Sequence, residues 1–288
     1  MRKLRTAVVI LFILSLIATG AYVVTDRLTS DTTPPVLTSD EESISVSVEA
    51  EDEELMAGLH AEDNRDGDIT DEIRIASMSH FTEKGTRTAT YAVFDSANQA
   101  ATLTRELVYT DYTSPQIHLS APLRFALDEM SETDLTAGMS VEDCLDGDIA
   151  SQIRVTYENN TYVSGAGTYS VTAQVSNSAG DTCSVPLEVT VTDPDDDLER
   201  DKYYPVLNTY IVYTKAGEAL DLNAYVTGVE RNGMEYPFDE EGTIADRSRL
   251  AIGGEIDYNT PGAYMAEYIY TSPDETAAAT KLAVIVEE

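Results

Sequence analysis

The sequence predicts an all-β protein, a tandem series of β-sandwiches preceded by one N-terminal transmembrane helix. Three observations carry that expectation. An acidic block recurs: residues 54–75 (ELMAGLHAEDNRDGDITDEIRI) and 134–155 (DLTAGMSVEDCLDGDIASQIRV) match at an offset of 80 without a gap, with 11 of 22 positions identical. A fixed period means a repeated supersecondary unit. Three segments that each follow a glycine then alternate apolar and polar residues with period 2, the signal of a half-buried antiparallel strand. Finally, residues 7–24 carry no charge at all.

The N-terminus comes first in chain order. Residues 1–6 form a short basic tail containing Arg2, Lys3 and Arg5, followed by AVVILFILSLIATGAYVV. Eighteen residues at the helical rise reach ~27 Å, enough to cross a thin hydrocarbon core. The basic flank is expected to stay cytoplasmic, which sends everything after residue 25 outside. A cleaved signal peptide is the competing reading, with Ala18-Thr19-Gly20 as the small residues for the peptidase. An anchor is favoured because the apolar run continues through Ala21–Val24. The expected place is the cell membrane, single-pass, with the C-terminal domains extracellular.

The remainder divides at Asp31-Thr-Thr-Pro-Pro35, Asp111-Tyr-Thr-Ser-Pro115 and Asp201-Lys-Tyr-Tyr-Pro205, each with Asp four residues before Pro. Proline fixes φ and lacks an N–H, so it suits entry to an edge strand. The expected units are residues 25–111, 112–193 and 204–288, with an acidic linker at 194–203. Each closes alike, with strands at 85–95, 167–177 and 262–272, a turn, and a last strand at 101–110, 182–192 and 278–287. Tyr169, Val171, Ala173 and Val175 share one face, as do Tyr264, Ala266, Tyr268 and Tyr270. Between units the core positions trade volume: Ala89 answers Val171 and Tyr91 answers Ala173. Units of 80–90 residues with turns every 8–12 residues read as sandwiches. The third unit keeps Asp221-Leu-Asn-Ala224 but loses Asp-Gly-Asp and inserts GVERNGMEYPFDEEGTIADRSR. A divergent terminal repeat is expected of a cap, and such an exposed loop is equally suited to recognition.

The order D-x-x-x-P, A-x-x-x-D-x-x-D-G-D-I, G-T-Y-x-V-x-x-x-V-x-[DN]-S-A-G resembles the bacterial surface immunoglobulin-like domain. That module occurs in tandem in secreted and wall-associated proteins and in a pesticidal crystal protein. The resemblance covers about residues 31–193 as two copies, with a weaker third at 204–288. Arg87 stands at the usual Tyr position in the first copy, and Ala97-Asn98 replaces Ala-Gly. The resemblance implies immunoglobulin-like sandwiches displayed outside a bacterial cell. It implies no reaction, because function lives in sites rather than folds.

Charge and motifs narrow the rest. All 52 Asp and Glu lie beyond residue 25, against 15 Lys and Arg, so this part carries 15 − 52 = −37. Such a surface repels nucleic acid and attracts cations. Glu62, Asp63, Asp66 and Asp68, and likewise Glu142, Asp143, Asp146 and Asp148, place four carboxylates within seven residues. With Asp111 at the junction, they are candidate Ca²⁺ ligands, because Ca²⁺ takes six to eight oxygens. An EF-hand is excluded, since Ile73 and Ile153 stand where its bidentate Glu must be. The alternative is a turn, in which Asp accepts from backbone N–H groups two residues on and Asp-Gly reverses the chain. Cys144 and Cys183, the only cysteines, either form a disulfide worth ~4 kcal/mol by loop entropy or remain two half-buried thiols.

No nucleophile elbow, phosphate loop or zinc motif is present, and His60, His80 and His118 are isolated. An enzyme is not expected. The expected function is a surface spacer, adhesion or protein-interaction module, tethered by its helix, with an extracellular protein or wall glycan as partner. The alternative is a carbohydrate- or wall-binding accessory protein using the third unit, where Tyr225, Tyr236, Tyr264, Tyr268 and Tyr270 concentrate.

Overall fold

In the computed structural model, residues 2–29, 31–130, 132–158, 163–238 and 244–288 are described. Residues 239–243 of the third unit's inserted loop and Met1 of the basic tail lie outside them. Helix α1 (Arg2–Thr29) contains the apolar run. Within it, Leu4–Thr25 is long and apolar enough to cross a membrane by length and composition, a property that a signal sequence shares. Among the described residues after it, the regular structure is β apart from single helical turns.

The chain divides into two compact units, Met1–Asp111 and Tyr112–Glu288. In the first, β1 (Val36–Ser39) and β2 (Ser43–Val46) are followed by a one-turn helix, α2 (Asp52–Leu55). Then come β3 (Leu59–Asp63), β4 (Gly67–Asp68), β5 (Arg74–Glu83), β6 (Thr86–Phe94) and β7 (Ala100–Tyr109). The order β1-β3-β4 makes one sheet and β2-β7-β6-β5 the other, so the entering chain changes sheets between β1 and β2. The expected alternation places Ala89, Tyr91 and Val93 of β6 in the core at 0 % exposure. A cationic side chain is buried with them. Arg105 of β7, opposite Ala89, donates to the carbonyls of Leu55 and Ala57 that α2 leaves unsatisfied.

The second unit holds the same plan twice. Strands β8 (Gln116–Leu119), β9 (Arg124–Ala126), β10 (Met139–Glu142), β11 (Arg154–Tyr157), β12 (Gly167–Ser176) and β13 (Thr182–Thr192) form sheets β10-β8 and β11-β12-β13-β9. After α3 (Asp197–Arg200) come β14 (Tyr204–Leu207), β15 (Ile211–Lys215), β16 (Val226–Arg231) and β17 (Met234–Pro237). Strands β18 (Leu250–Gly253), β19 (Gly262–Thr271) and β20 (Ala277–Glu287) complete it, in sheets β14-β16-β17 and β15-β20-β19-β18. In all three copies the second entering strand pairs in parallel with the last: β2 with β7, β9 with β13, β15 with β20. The divergent third copy therefore has the same fold.

The last two sandwiches share one hydrophobic cluster, which runs from Ile117 and Val189 to Ile211 and Val284. The Tyr213 hydroxyl accepts from Ile117 N–H at 2.8 Å and donates to the Ile117 carbonyl at 3.0 Å. Lys281 reaches Glu188 at 2.6 Å, and Arg124 meets Glu230 while its guanidinium lies 3.8 Å from the Tyr204 ring centroid. Half-buried pairs of this kind fix geometry more than they add stability.

Candidate functional site

The acidic block is built the same way in both copies. After β3, Asp63 accepts from the backbone N–H of Arg65 at 2.8 Å and of Asp66 at 2.9 Å; after β10, Asp143 accepts from Leu145 and Asp146. This is the Asx turn that short acidic side chains make. The N–H of Asp66, then that of Arg65, holds the Asp63 carboxyl below its ordinary range. The next glycine sits at φ +73° in one copy and +70° in the other, where an L side chain is strained. Asp68 and Asp148 each cap the following turn, accepting from Thr70 and Ala150 N–H at 3.0 Å. Asp66 accepts from the N–H and hydroxyl of Ser96, and Asp146 from those of Ser178. The acidic block and the Ser-Ala turn, 30 and 32 residues apart in the two copies, thus hold each other.

Both expectations for the block meet in these bonds. The carboxylates form turns, and what they offer a cation is what the turns leave over. Glu62 and Glu142 are exposed. Asp111 accepts from Ser47 hydroxyl at 2.6 Å and Val48 N–H at 2.8 Å, the hydroxyl being the main cause of its lowered pKa. Among the described residues, the carboxylates that come close enough to share a metal ion form a different group. Carboxylate oxygens of Asp31, Asp63 and Asp95 lie within 4.8 Å of one another, with Asp63 and Asp95 buried. With its amide oxygen and nitrogen exchanged, Asn64 donates N–H to Asp63 at 3.2 Å and to Asp31 at 3.3 Å. Three carboxylates would supply half of the smallest Ca²⁺ shell.

In the second copy Asn177 stands in the place of Asp95. Its amide nitrogen donates to Asp143 at 3.0 Å and to the Tyr112 hydroxyl at 2.9 Å, and Tyr112 donates on to Asp181. That network closes on itself. Asp31 and Asp95 were absent from the sequence-based set. The Asp-x-x-x-Pro signature contained Asp31, but only the fold brings it to Asp63.

Cys144 and Cys183 are not bonded to each other in the structure. Cys144 donates to the Thr113 carbonyl at 3.1 Å, and Cys183 lies 3.6 Å from the Tyr213 hydroxyl. Burial pushes the Cys183 thiol pKa up. The tyrosines of the third copy require a correction. Tyr268 and Tyr270 are 0 % and 1 % exposed, so two of the tyrosines whose concentration suggested a platform lie in the core, on the face that the alternation gave them. Tyr268 donates to the Leu222 carbonyl, and Tyr270 packs 6.1 Å from both Tyr203 and Phe238. They cannot stack a ligand.

No family model and no curated protein matches the chain. Among solved structures it is similar to Clostridium perfringens ZmpB, in the structure of CBM51-2 in complex with GlcNAc and INT domains, at 18% identity and TM-score 0.22. That match covers 50% of this chain and 29% of the other, so the chain spans less than a third of that structure. It is also similar to Drosophila N-cadherin EC1-4, at 12% identity and TM-score 0.20, covering 90% of this chain and 76% of that one. The protocadherin GammaB4 extracellular domain matches at 11% identity and TM-score 0.19, over 88% and 50% of the two chains. At these scores the likeness carries no function across, and what the chain does has to come from its own residues.

Proposed function

We propose that the protein is a membrane-tethered surface array, a spacer that presents its last two sandwiches as one interaction module outside a bacterial cell. The observation that carries the reading is one β-sandwich plan repeated three times behind a single apolar helix. The basic residues before the helix support a cytoplasmic N-terminus. The net charge of −37 after residue 25 supports display in water, away from anionic lipid and nucleic acid. The core shared by the second and third copies supports a stiff distal head.

The test expresses the full chain with a C-terminal epitope in a Gram-positive host. Protease added to intact cells should remove the epitope, and alkaline carbonate should leave the chain in the membrane fraction. An epitope that survives on intact cells would overturn the outward orientation. Release of a chain beginning near Ala21 would replace the tether with secretion. Affinity capture from wall fractions and culture proteins would then identify the partner.

A further inference from the structure

The seam between the last two sandwiches encloses a cleft of about 420 Å³ that neither the repeats nor the acidic loops announce. Its walls come from the outward faces of two sheets, the side that ordinarily meets only water. From the second sandwich come Thr168 and Ser170 of β12, opposite Thr190 and Glu188 of β13. From the third come Glu267 of β19 and its cross-strand neighbour Lys281 of β20. The floor is apolar, with Leu119 and Leu187 buried and Met265 beside them.

The polar groups are unevenly employed. Lys281 gives one bond to Glu188 across the seam, leaving two ammonium protons and one carboxylate oxygen over. Thr168, Ser170 and Thr190 make no side-chain hydrogen bond among the described residues, and Glu267 makes neither a hydrogen bond nor an ion pair. The Glu267 carboxylate is half-buried and unpaired among the described residues, which folding alone does not select, while the Thr168 and Ser170 hydroxyls are exposed and open to a ligand. Charge narrows the ligand. Arg124 at the cleft edge is neutralised by Glu230, and Lys281 sits between Glu188 and Glu267. An anion would meet two carboxylates and a compact cation would meet the ammonium. A neutral ligand rich in hydroxyls meets neither obstacle. The volume falls in the lower part of the ~300–1,000 Å³ range of small-molecule sites.

We propose that this seam is a binding site for a neutral saccharide unit. Sugar hydroxyls donate to Glu267 and Glu188, accept from Lys281, and exchange bonds with Thr168, Ser170 and Thr190, while ring C–H groups rest on Met265. The proposal stands apart from the tether reading, because a secreted chain would carry the same cleft.

The test uses the full chain in a polyoxyethylene detergent, which has no sugar headgroup, on a printed array of neutral oligosaccharides. Hits are then titrated by saturation-transfer NMR. We expect a hit with a dissociation constant of millimolar or below, weakened about tenfold or more by Glu267→Gln, which removes one charged acceptor. Ser170→Trp, which fills the cleft from an outward position, should abolish binding with the melting temperature unchanged. An array without hits, or a hit that both variants bind as well as the parent, would overturn the proposal.

Discussion

Asp95 and Asn177 occupy one position in two copies, and a single atom separates their chemistry. Asn177 hands an N–H to Asp143, whereas Asp95 sets a second buried carboxylate within 4.8 Å of Asp63. Like charges at that distance repel. Asp95→Asn should therefore raise the melting temperature of the first sandwich by a few degrees in chelating buffer. Millimolar Ca²⁺ should close that gap by stabilising the parent alone, as read by scanning calorimetry. The turn aspartates set a second expectation. Asp63, Asp68 and Asp111 have folded pKa values below their unfolded ones, through bonds from Asp66 N–H, Thr70 and the Ser47 hydroxyl in turn. A lowered folded pKa gives stability that is present above the unfolded value and is lost as pH falls through the folded one. Thermal stability should hold to about pH 5 and decline below about pH 4. A melting temperature that kept rising below pH 4 would contradict this.

Strands and turns were the legible scale. Apolar-polar alternation located β6, β12 and β19 to within a residue because one face of each strand is buried. The alternation also put Tyr268 and Tyr270 on the face of Ala266, which is the core face; it was the number of tyrosines in the third copy, not their spacing, that misled. The Asp-Gly-Asp turn was legible because its bonds are local; the convergence of Asp31 on Asp63 was not, because it depends on β1 pairing with β3. The cleft at the seam was invisible for a related reason: an outward residue such as Glu267 reads as solvent-facing, although the structure half-buries it beside the second sandwich. Two glycines separate the turn's requirement from the sheet's. At Gly147 an added Cβ meets nothing within 4 Å, so Gly147→Ala should cost only the left-handed backbone, about 1–2 kcal/mol. At Gly228 the Cβ would stand 2.4 Å from the Tyr236 carbonyl oxygen, which forces β16 and β17 apart. Gly228→Ala should cost about 3 kcal/mol, measured by denaturant unfolding.

Across the whole chain, the continuous cluster from Ile117 to Val284 means that residues 112–288 should melt as one cooperative body, with residues 31–111 melting separately. Calorimetry should resolve two transitions. Tyr213→Phe, which deletes both bonds to Ile117, should lower only the larger one, by about 1–3 kcal/mol. Three transitions in the parent would show that the seam is too weak to couple the sandwiches.

The parallel pairing of each copy's second strand with its last has a mechanical meaning. When a chain held at one end is pulled at the other, tension enters a sandwich through its first strands and leaves through its last. In β2 with β7, β9 with β13 and β15 with β20, the two strands run side by side in the same direction. Opposed forces then slide them lengthwise, and every hydrogen bond of the ladder resists together; an antiparallel end pair would open one bond at a time. A molecule that holds something against flow on the end of a single helix would give way by slow, rare rupture, each sandwich letting out its length of chain before the grip is lost.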